Sequence, residues 1–304
     1  MPTDAQTAAP RPPDRYAVLG QPVAHSQSPF IHAAFARQTG QRLVYGRVPC
    51  PLDGFEASLR GFIAQADPAA GIGPARGCNI TVPFKFQVLP LAGRASPRAT
   101  LAQAANVLGF DADGWWADNT DGIGLVRDIV QGAGQPLAGQ RLLLIGAGGA
   151  ASGVLGPLIG AGCRAICVAN RSPAKALALV QRHQAWADQH HCTLHATGLD
   201  APGAAFDVVI NSSASSLAGA AVPVPAAVLR PGSLAVDLMY GPAARPFLDW
   251  AAAHGARGRD GLGMLVEQAA EAFCLWRGTL PDTAPVLAAL REHLAQPSAA
   301  QAAG

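Results

Sequence analysis

The stretch RLLLIGAGGAASGVLGPLIGAG, residues 141–162, limits the possible folds more than any other part of the chain. A wholly apolar run enters a glycine cluster and continues as an apolar segment of helical length. A strand of a parallel sheet passes through a tight turn into a covering helix in this way. Gly146-Ala147-Gly148-Gly149-Ala150-Ala151 fits the spacing G-x-G-x-x-A. In that pattern the missing side chains let backbone N–H groups and a helix N-terminus approach a pyrophosphate. A merely tight turn would use the same glycines, but the strand before and the helix after favour a nucleotide.

The end of the next strand separates two dinucleotides. An acid about 20 residues beyond the glycines would take a ribose hydroxyl and repel a 2′-phosphate. This chain has Asn170-Arg171-Ser172 there, with Lys175 just beyond. A guanidinium suits a phosphate because its planar donors and permanent charge match it. The competing reading is a solvated arginine at a helix start, with Ser172-Pro173 as cap and first-turn pair.

The remainder of the chain is α/β in rhythm. Strand patterns at 15–20, 43–48 and 77–82 alternate with helical ones at 29–39 and 54–66. Asp113-Gly114 marks a hairpin within 107–119, and a helix follows over 121–132. Further strands are expected at 165–170, 194–197, 207–212 and 233–240. The Gly-, Gln- and Pro-rich 131–139 reads as the link between two domains. Two last helices, 263–277 and 283–294, are too little for a third domain and are expected to pack back on the first half, leaving a ligand cleft. The proline-rich opening and the closing AQPSAAQAAG read as tails, which leaves a folded body from about Arg15 to about Leu294.

Composition narrows the partners. Only 14% of the 304 residues are charged and the net charge is +2. No basic block suggests nucleic acid and no apolar run is long enough to span a membrane, so small molecules are the expected partners. The six cysteines form no CxxC pair or zinc-finger spacing, and they read as reduced cytosolic thiols. No metal site is expected.

Against this background NITVPFK, residues 79–85, ends on one of only two lysines beside 20 arginines. In HSQSPFIH, residues 25–32, Ser28 suits a helix cap before Pro29, but Ser26 adds a second hydroxyl. Two such donors at a helix start also make a seat for a carboxylate. His25 and His32 read as ordinary polar positions. DNTDGIG, residues 118–124, puts Asp118 and Asp121 at another helix start. An aspartate facing a lysine across a cleft is what proton transfer at an alcohol or ketone requires.

HSQSP, NITVPFK, DNTDGIG, IGAGGAA, NRS, DLMYG and DGLGMLVEQA, taken in this order over nearly the whole folded chain, resemble the shikimate dehydrogenase family. The resemblance implies a substrate domain over 15–124, a Rossmann-type NADP domain over 125–258, and C-terminal helices over 259–295. The implied reaction is reversible reduction of 3-dehydroshikimate by NADPH, on the way to aromatic amino acids. Lys85 and Asp121 would form the catalytic pair, Ser26 and Ser28 would hold the substrate carboxylate, and Thr81, Asn106, Asp121 and Gln268 the ring hydroxyls, with Tyr240 lining the pocket. Gly148, Gly149 and Ala150 would meet the pyrophosphate, and Asn170, Arg171 and Ser172 the 2′-phosphate. Met239, Gly261 and Met264 would border the nicotinamide, although core filling is the commoner role of methionine. Val107 stands where the family usually has threonine, and Ala33 where asparagine is common. A cytoplasmic monomer or homodimer is expected. A quinate or quinate/shikimate dehydrogenase and a catalytically inert sensor of nucleotide or shikimate are the alternatives.

Overall fold

The computed structural model describes residues 11–213 and 222–296, and most of both expected tails lies outside them. The first of two six-stranded sheets comprises β1 (Asp14–Gly20), β2 (Leu43–Pro49), β3 (Ala75–Ile80), β4 (Arg94–Ala95), β5 (Val107–Asp111) and β6 (Gly114–Asp118). Its order is β2-β1-β3-β5-β6-β4. β1 is parallel to β2 and β3, whereas β3, β5 and β6 run antiparallel in turn, so the sheet is mixed. Crossovers are made by α1 (Ser28–Thr39) and α2 (Phe55–Ala64). The latter buries Phe55, Leu59 and Phe62 against Leu19, Ile80 and Phe84. The hairpin turn falls on Ala112-Asp113, one residue earlier than expected, because Gly114 opens β6 with φ +104°.

The second sheet contains β7 (Arg141–Ile145), β8 (Ala165–Ala169), β9 (Thr193–Thr197), β10 (Val208–Asn211), β11 (Leu234–Asp237) and β12 (Arg257–Arg259). Every pairing is parallel, in the order β9-β8-β7-β10-β11-β12. This is the doubly wound order, which reverses direction between β7 and β10. The apolar run 142–145 of β7 is explained by cover on both faces. Leu142 and Leu144 pack with α5 (Gly149–Gly160) and α6 (Pro173–Gln189), while Leu143 and Ile145 pack with Phe247 and Ala251 of α7 (Arg245–Ala253).

Two helices span the two sheets. α4 (Asp121–Arg127), continued by a π-helical turn to Gly132, lies against α8 (Leu262–Arg277), and α9 (Ala284–Ala295) follows. The stretch 131–139 joins the end of the π turn to β7. It begins within the π turn, and Leu137 is buried in the second core. The chain crosses outward through α4 and returns through α8. Ile31 and Phe35 of α1 pack against Leu262, Val266 and Phe273 of α8 and against Val286 and Leu290 of α9. Trp276 Nε1 donates to Leu108 O over 2.9 Å, which fastens α8 to β5. Among the described residues no helix is long and apolar enough to cross a membrane.

Candidate active site

β3 delivers its chain to the seam between the two sheets and stops at Ile80. The turn after it is held by the buried Phe84, whose ring stacks on Phe55 with centroids 4.6 Å apart. Lys85 follows Phe84 directly and accepts the Ala105 N–H on its carbonyl at 2.9 Å, so its backbone is fixed. Its Nζ lies 2.5 Å from Asp121 Oδ2. Asp121 opens α4, where the positive end of the helix favours a carboxylate. Its other oxygen, Oδ1, accepts from Asn106 Nδ2 at 2.8 Å, and its own N–H donates to Asn119 Oδ1 at 3.2 Å. The same Asn106 amide donates to Gln268 Oε1 at 3.2 Å, and Gln268 Nε2 donates to Leu265 O. The structure thus joins Lys85, Asn106, Asp121 and Gln268 in one network drawn from both sheets' neighbourhoods. Asp118 does not join it, because it is bound by Arg98 and Ser96.

Ser28 neighbours Tyr45, which connects through Asn79 to Asn106 of this network. Ser28 does not cap α1: Gln27 holds the cap position and no side chain caps this end. Ser26 Oγ instead donates to Ser28 Oγ at 3.1 Å. Ser26 Oγ also accepts from the Ser28 N–H at 3.3 Å, so capping is removed as an explanation for the Ser28 hydroxyl alone. A cation that the sequence reading missed joins the serines, since Arg47 Nε and Nη2 donate to Ser26 O at 3.0 and 2.6 Å. Arg47 is exposed and has no carboxylate partner among the described residues. Burial raises the Tyr240 phenol above its usual pKa, opposed by the charge of Arg47, so these two also share the region. Tyr45, two residues earlier on β2, donates to Asn79 Oδ1 at 2.6 Å. Alternation along the strand was the available signal for both. Thr81 is half-buried at the end of β3, where its N–H donates to Leu19 O.

The glycine turn faces this group. Gly146 has φ +112°, and a Cβ on it would stand 2.8 Å from Ser212 Oγ, so only glycine fits where β7 and β10 diverge. Gly148 precedes α5 without any side-chain cap, which leaves the first N–H groups of that 12-residue helix for an anion. A Cβ on Gly149 would lie 3.5 Å from Lys85 Cβ, so the turn and the lysine are neighbours across the seam. Ala150 is half-buried in the first turn of α5. At the end of β8, Asn170 Nδ2 donates to Ser172 O and folds the loop, while Arg171 and Lys175 are exposed and make no ion pair among the described residues. Ser172 occupies the cap position of α6 without a capping hydrogen bond. The residues present therefore fit a dinucleotide with an extra phosphate. Gly261 N donates to Met239 O at 2.8 Å, which holds the half-buried Met239 beside the start of α8. Met264 is buried in the second core with Leu125 and Ile129.

Three stretches of the chain match family models of one lineage. Residues 18–108 match the shikimate dehydrogenase substrate binding domain, 128–220 shikimate / quinate 5-dehydrogenase, and 261–291 the shikimate 5′-dehydrogenase C-terminal domain. The shikimate dehydrogenase (NADP(+)) of Methylibium petroleiphilum is 63% identical over 91% of this chain and 94% of its own. The chain belongs to the shikimate dehydrogenase family. Shikimate 5-dehydrogenase of Thermus thermophilus, solved with shikimate, is 33% identical with a TM-score of 0.77, covering 93% of this chain and 100% of that one. The same enzyme solved with NADP(H) and shikimate is 32% identical with a TM-score of 0.75, over 92% and 99%. Within the shikimate dehydrogenase family pattern, Val107 is fully buried in β5 and Ala33 half-buried on α1.

Proposed function

We propose that this protein is an NADP-dependent shikimate dehydrogenase that interconverts 3-dehydroshikimate and shikimate. The observation that carries the proposal is the contact between Lys85 Nζ and Asp121 Oδ2, held by Asn106 beside the glycine turn. Residues 15–124 would hold the substrate, 125–258 the dinucleotide, and 259–295 close the seam, with Gln268 contributing from the returning helix. Ser26, Ser28 and Arg47 together suit a carboxylate; Thr81, Asn106, Asp121, Tyr240 and Gln268 suit ring hydroxyls. Gly146, Gly148, Gly149 and Ala150 suit a pyrophosphate, Asn170, Arg171, Ser172 and Lys175 a 2′-phosphate, and Met239, Gly261 and Met264 the nicotinamide side. The relatives carry the same activity and cofactor in their names. Five of six cysteines are buried and all are free; the setting proposed is the cytoplasm, and the assembly a monomer or homodimer.

The chemistry supplied by a bound nicotinamide is hydride transfer to or from the ring carbon bearing the oxygen. In reduction that oxygen gains negative charge, and the Lys85 ammonium stabilises it and then donates a proton to it. In oxidation neutral Lys85 accepts the proton. Asp121 orients the amine through Oδ2, and Asn106 locks the carboxylate through Oδ1. Parallel rates on shikimate and quinate with NADP and NAD test the proposal. Shikimate with NADP is expected to give the highest kcat/KM; quinate with NAD ahead would assign the quinate reading, and no turnover with retained NADPH binding would assign the sensor.

A further inference from the structure

Asp118 stands in the same run as Asp121, yet it is only 6% exposed and is held by groups outside the Lys85 network. A carboxylate taken out of water has to be paired, and its partners fix its orientation. Arg98, on α3 (Pro97–Ala102), grips it as a fork: Nε donates to Oδ1 at 2.6 Å and Nη2 to Oδ2 at 2.9 Å. Ser96, which caps α3 by accepting the Ala99 N–H, donates its hydroxyl to the same Oδ1. The fork is held from behind as well. Arg98 Nη1 and Nη2 donate to Glu271 Oε1 on α8 at 3.2 Å, and Arg127 Nη2 on α4 donates to Glu271 Oε2 at 2.8 Å.

From Asp118 two hydrogen bonds lead to the site. Its Oδ1 accepts the Asn119 N–H at 2.6 Å, and Asn119 Oδ1 accepts the Asp121 N–H at 3.2 Å. Asn119 has no slack between them. It is 1% exposed, its Nδ2 donates to Ala104 O at 2.9 Å, and a Cβ on Gly153 of α5 would stand 2.8 Å from its Oδ1. A rotation of the Asp118 carboxylate therefore cannot be absorbed by the Asn119 side chain and passes to the first turn of α4. That turn carries Asp121, whose Oδ2 faces Lys85 Nζ.

We propose that Arg98 is a positioning residue for the reaction: by holding both oxygens of Asp118 it sets the Asn119 turn, and through that turn the direction in which Asp121 presents Oδ2 to Lys85. The inference rests on the proposed roles of Lys85 and Asp121. A guanidinium suits the duty because its planar donors hold a carboxylate at two points, whereas an ammonium supplies the same charge at one.

Arg98→Lys tests the assignment, with shikimate kcat, both KM values and the urea midpoint measured on the full chain. Lysine keeps the buried Asp118 paired, so the midpoint should stay near that of the parent. Loss of the fork should still lower kcat about tenfold, while the KM for NADP stays within about twofold. In an Asp121→Asn background, where the carboxylate to be aimed is gone, the same substitution should change kcat by less than about twofold. Asp118→Asn, at the other end of the fork, should lose as much kcat as Arg98→Lys, and the two together no more than either alone. Glu271→Gln, which loosens only the α8 end of these ion pairs, should leave kcat within about twofold of the parent. Parent kcat in Arg98→Lys, equal losses with and without Asp121, additive losses from Arg98→Lys and Asp118→Asn, or an equal loss in Glu271→Gln would each overturn the proposal. Asp121→Asn with parent turnover would refute the catalytic reading and this inference together, whereas a slow Asp121→Asn beside an unimpaired Arg98→Lys would refute this inference alone.

Discussion

A lysine and an arginine at position 85 would carry the same charge but not the same chemistry, since guanidinium does not give up its proton at working pH. If Lys85 transfers the proton, Lys85→Ala should lower kcat by about 10²–10⁴ with a smaller change in shikimate KM, and Lys85→Arg should not restore it. Substantial kcat in Lys85→Arg, with Lys85→Ala acting mainly through KM, would make the residue a cationic tether. Arg171 tests the other ligand. Exposed and without an ion pair among the described residues, it has no structural duty to confound the result. Arg171→Asp should raise the KM for NADP about tenfold or more while NAD is little affected; unchanged NADP KM would remove this loop from the phosphate site. Residues of this kind were legible in the sequence because they stand in short runs at strand ends and helix starts. Arg47 was not, because nothing on β2 but alternation marks which side chains share the face of Ser26 and Asn79. Ser28 was half-read: its place at the start of α1 was clear, but its hydroxyl bonds Ser26, two residues away, rather than the helix end, and residue types alone do not choose between these two local bonds.

Helix α4 shows what decides an element's place. A Cβ on Gly124 would stand 2.7 Å from both the backbone N and the Cβ of Gln268 on α8, closer than real side chains approach. Gly61, in the interior of α2, is exposed and would meet nothing within 4 Å. The same substitution should therefore act with opposite signs. Gly61→Ala gains helix propensity and should stabilise by up to about 1 kcal/mol. Gly124→Ala gains the same propensity but overpacks the crossing at a cost of about 1–3 kcal/mol, for a net loss. It should also raise shikimate KM, since Gln268 cannot move without its bond to Asn106. Urea midpoints and steady-state rates check both; equal stabilisation by the two alanines would mean the α4–α8 contact is not tight. Period and turn chemistry located most strands and helices but not this contact, which joins residues far apart in the chain. The same limit explains 131–139. Its glycines and proline suggest the link between the two halves, but that Leu137 anchors this link in the second core depends on the assembled sheet and its helices. The hairpin was placed one residue late because Gly114 takes the positive φ within the first residue of β6 rather than within the turn.

At the scale of the molecule, two sheets are held as one body by the return of α8 and α9 across α1, and His32 is buried in that seam. Its ring stacks on Tyr45 of β2 with centroids 4.2 Å apart and lies 5.5 Å from Trp276 and 6.3 Å from Phe273 of α8. The sequence allowed an ordinary polar histidine here. Burial arises from the returning helix, far along the chain, and could not be read from the neighbours of His32. Burial lowers its pKa to about 3, and that of His183 to about 4. An unfolded histidine titrates near 6.5, so between that value and about 4 the unfolded chain binds more protons than the folded one. Stability contributed by both neutral rings is thus complete above about pH 6.5 and is lost as pH falls through this window. Each ring adds at most about 1.4 kcal/mol per pH unit to the slope, or about 2.7 for the two. Arg94 holds the Asp111 pKa below the usual carboxylate range, and at Asp207 the upward push of burial is outweighed by the Arg141 N–H and Arg230. Both carboxylates therefore respond only below about pH 4, and the windows separate. Urea unfolding of the ligand-free protein between pH 6 and 4.5 should accordingly show stability falling with acid, and His32→Phe should about halve that slope whatever it does to stability at pH 7. An unchanged slope in His32→Phe would mean that acid reaches this ring in the folded state, and that the seam between the returning helices and the first sheet opens more readily than its packing indicates.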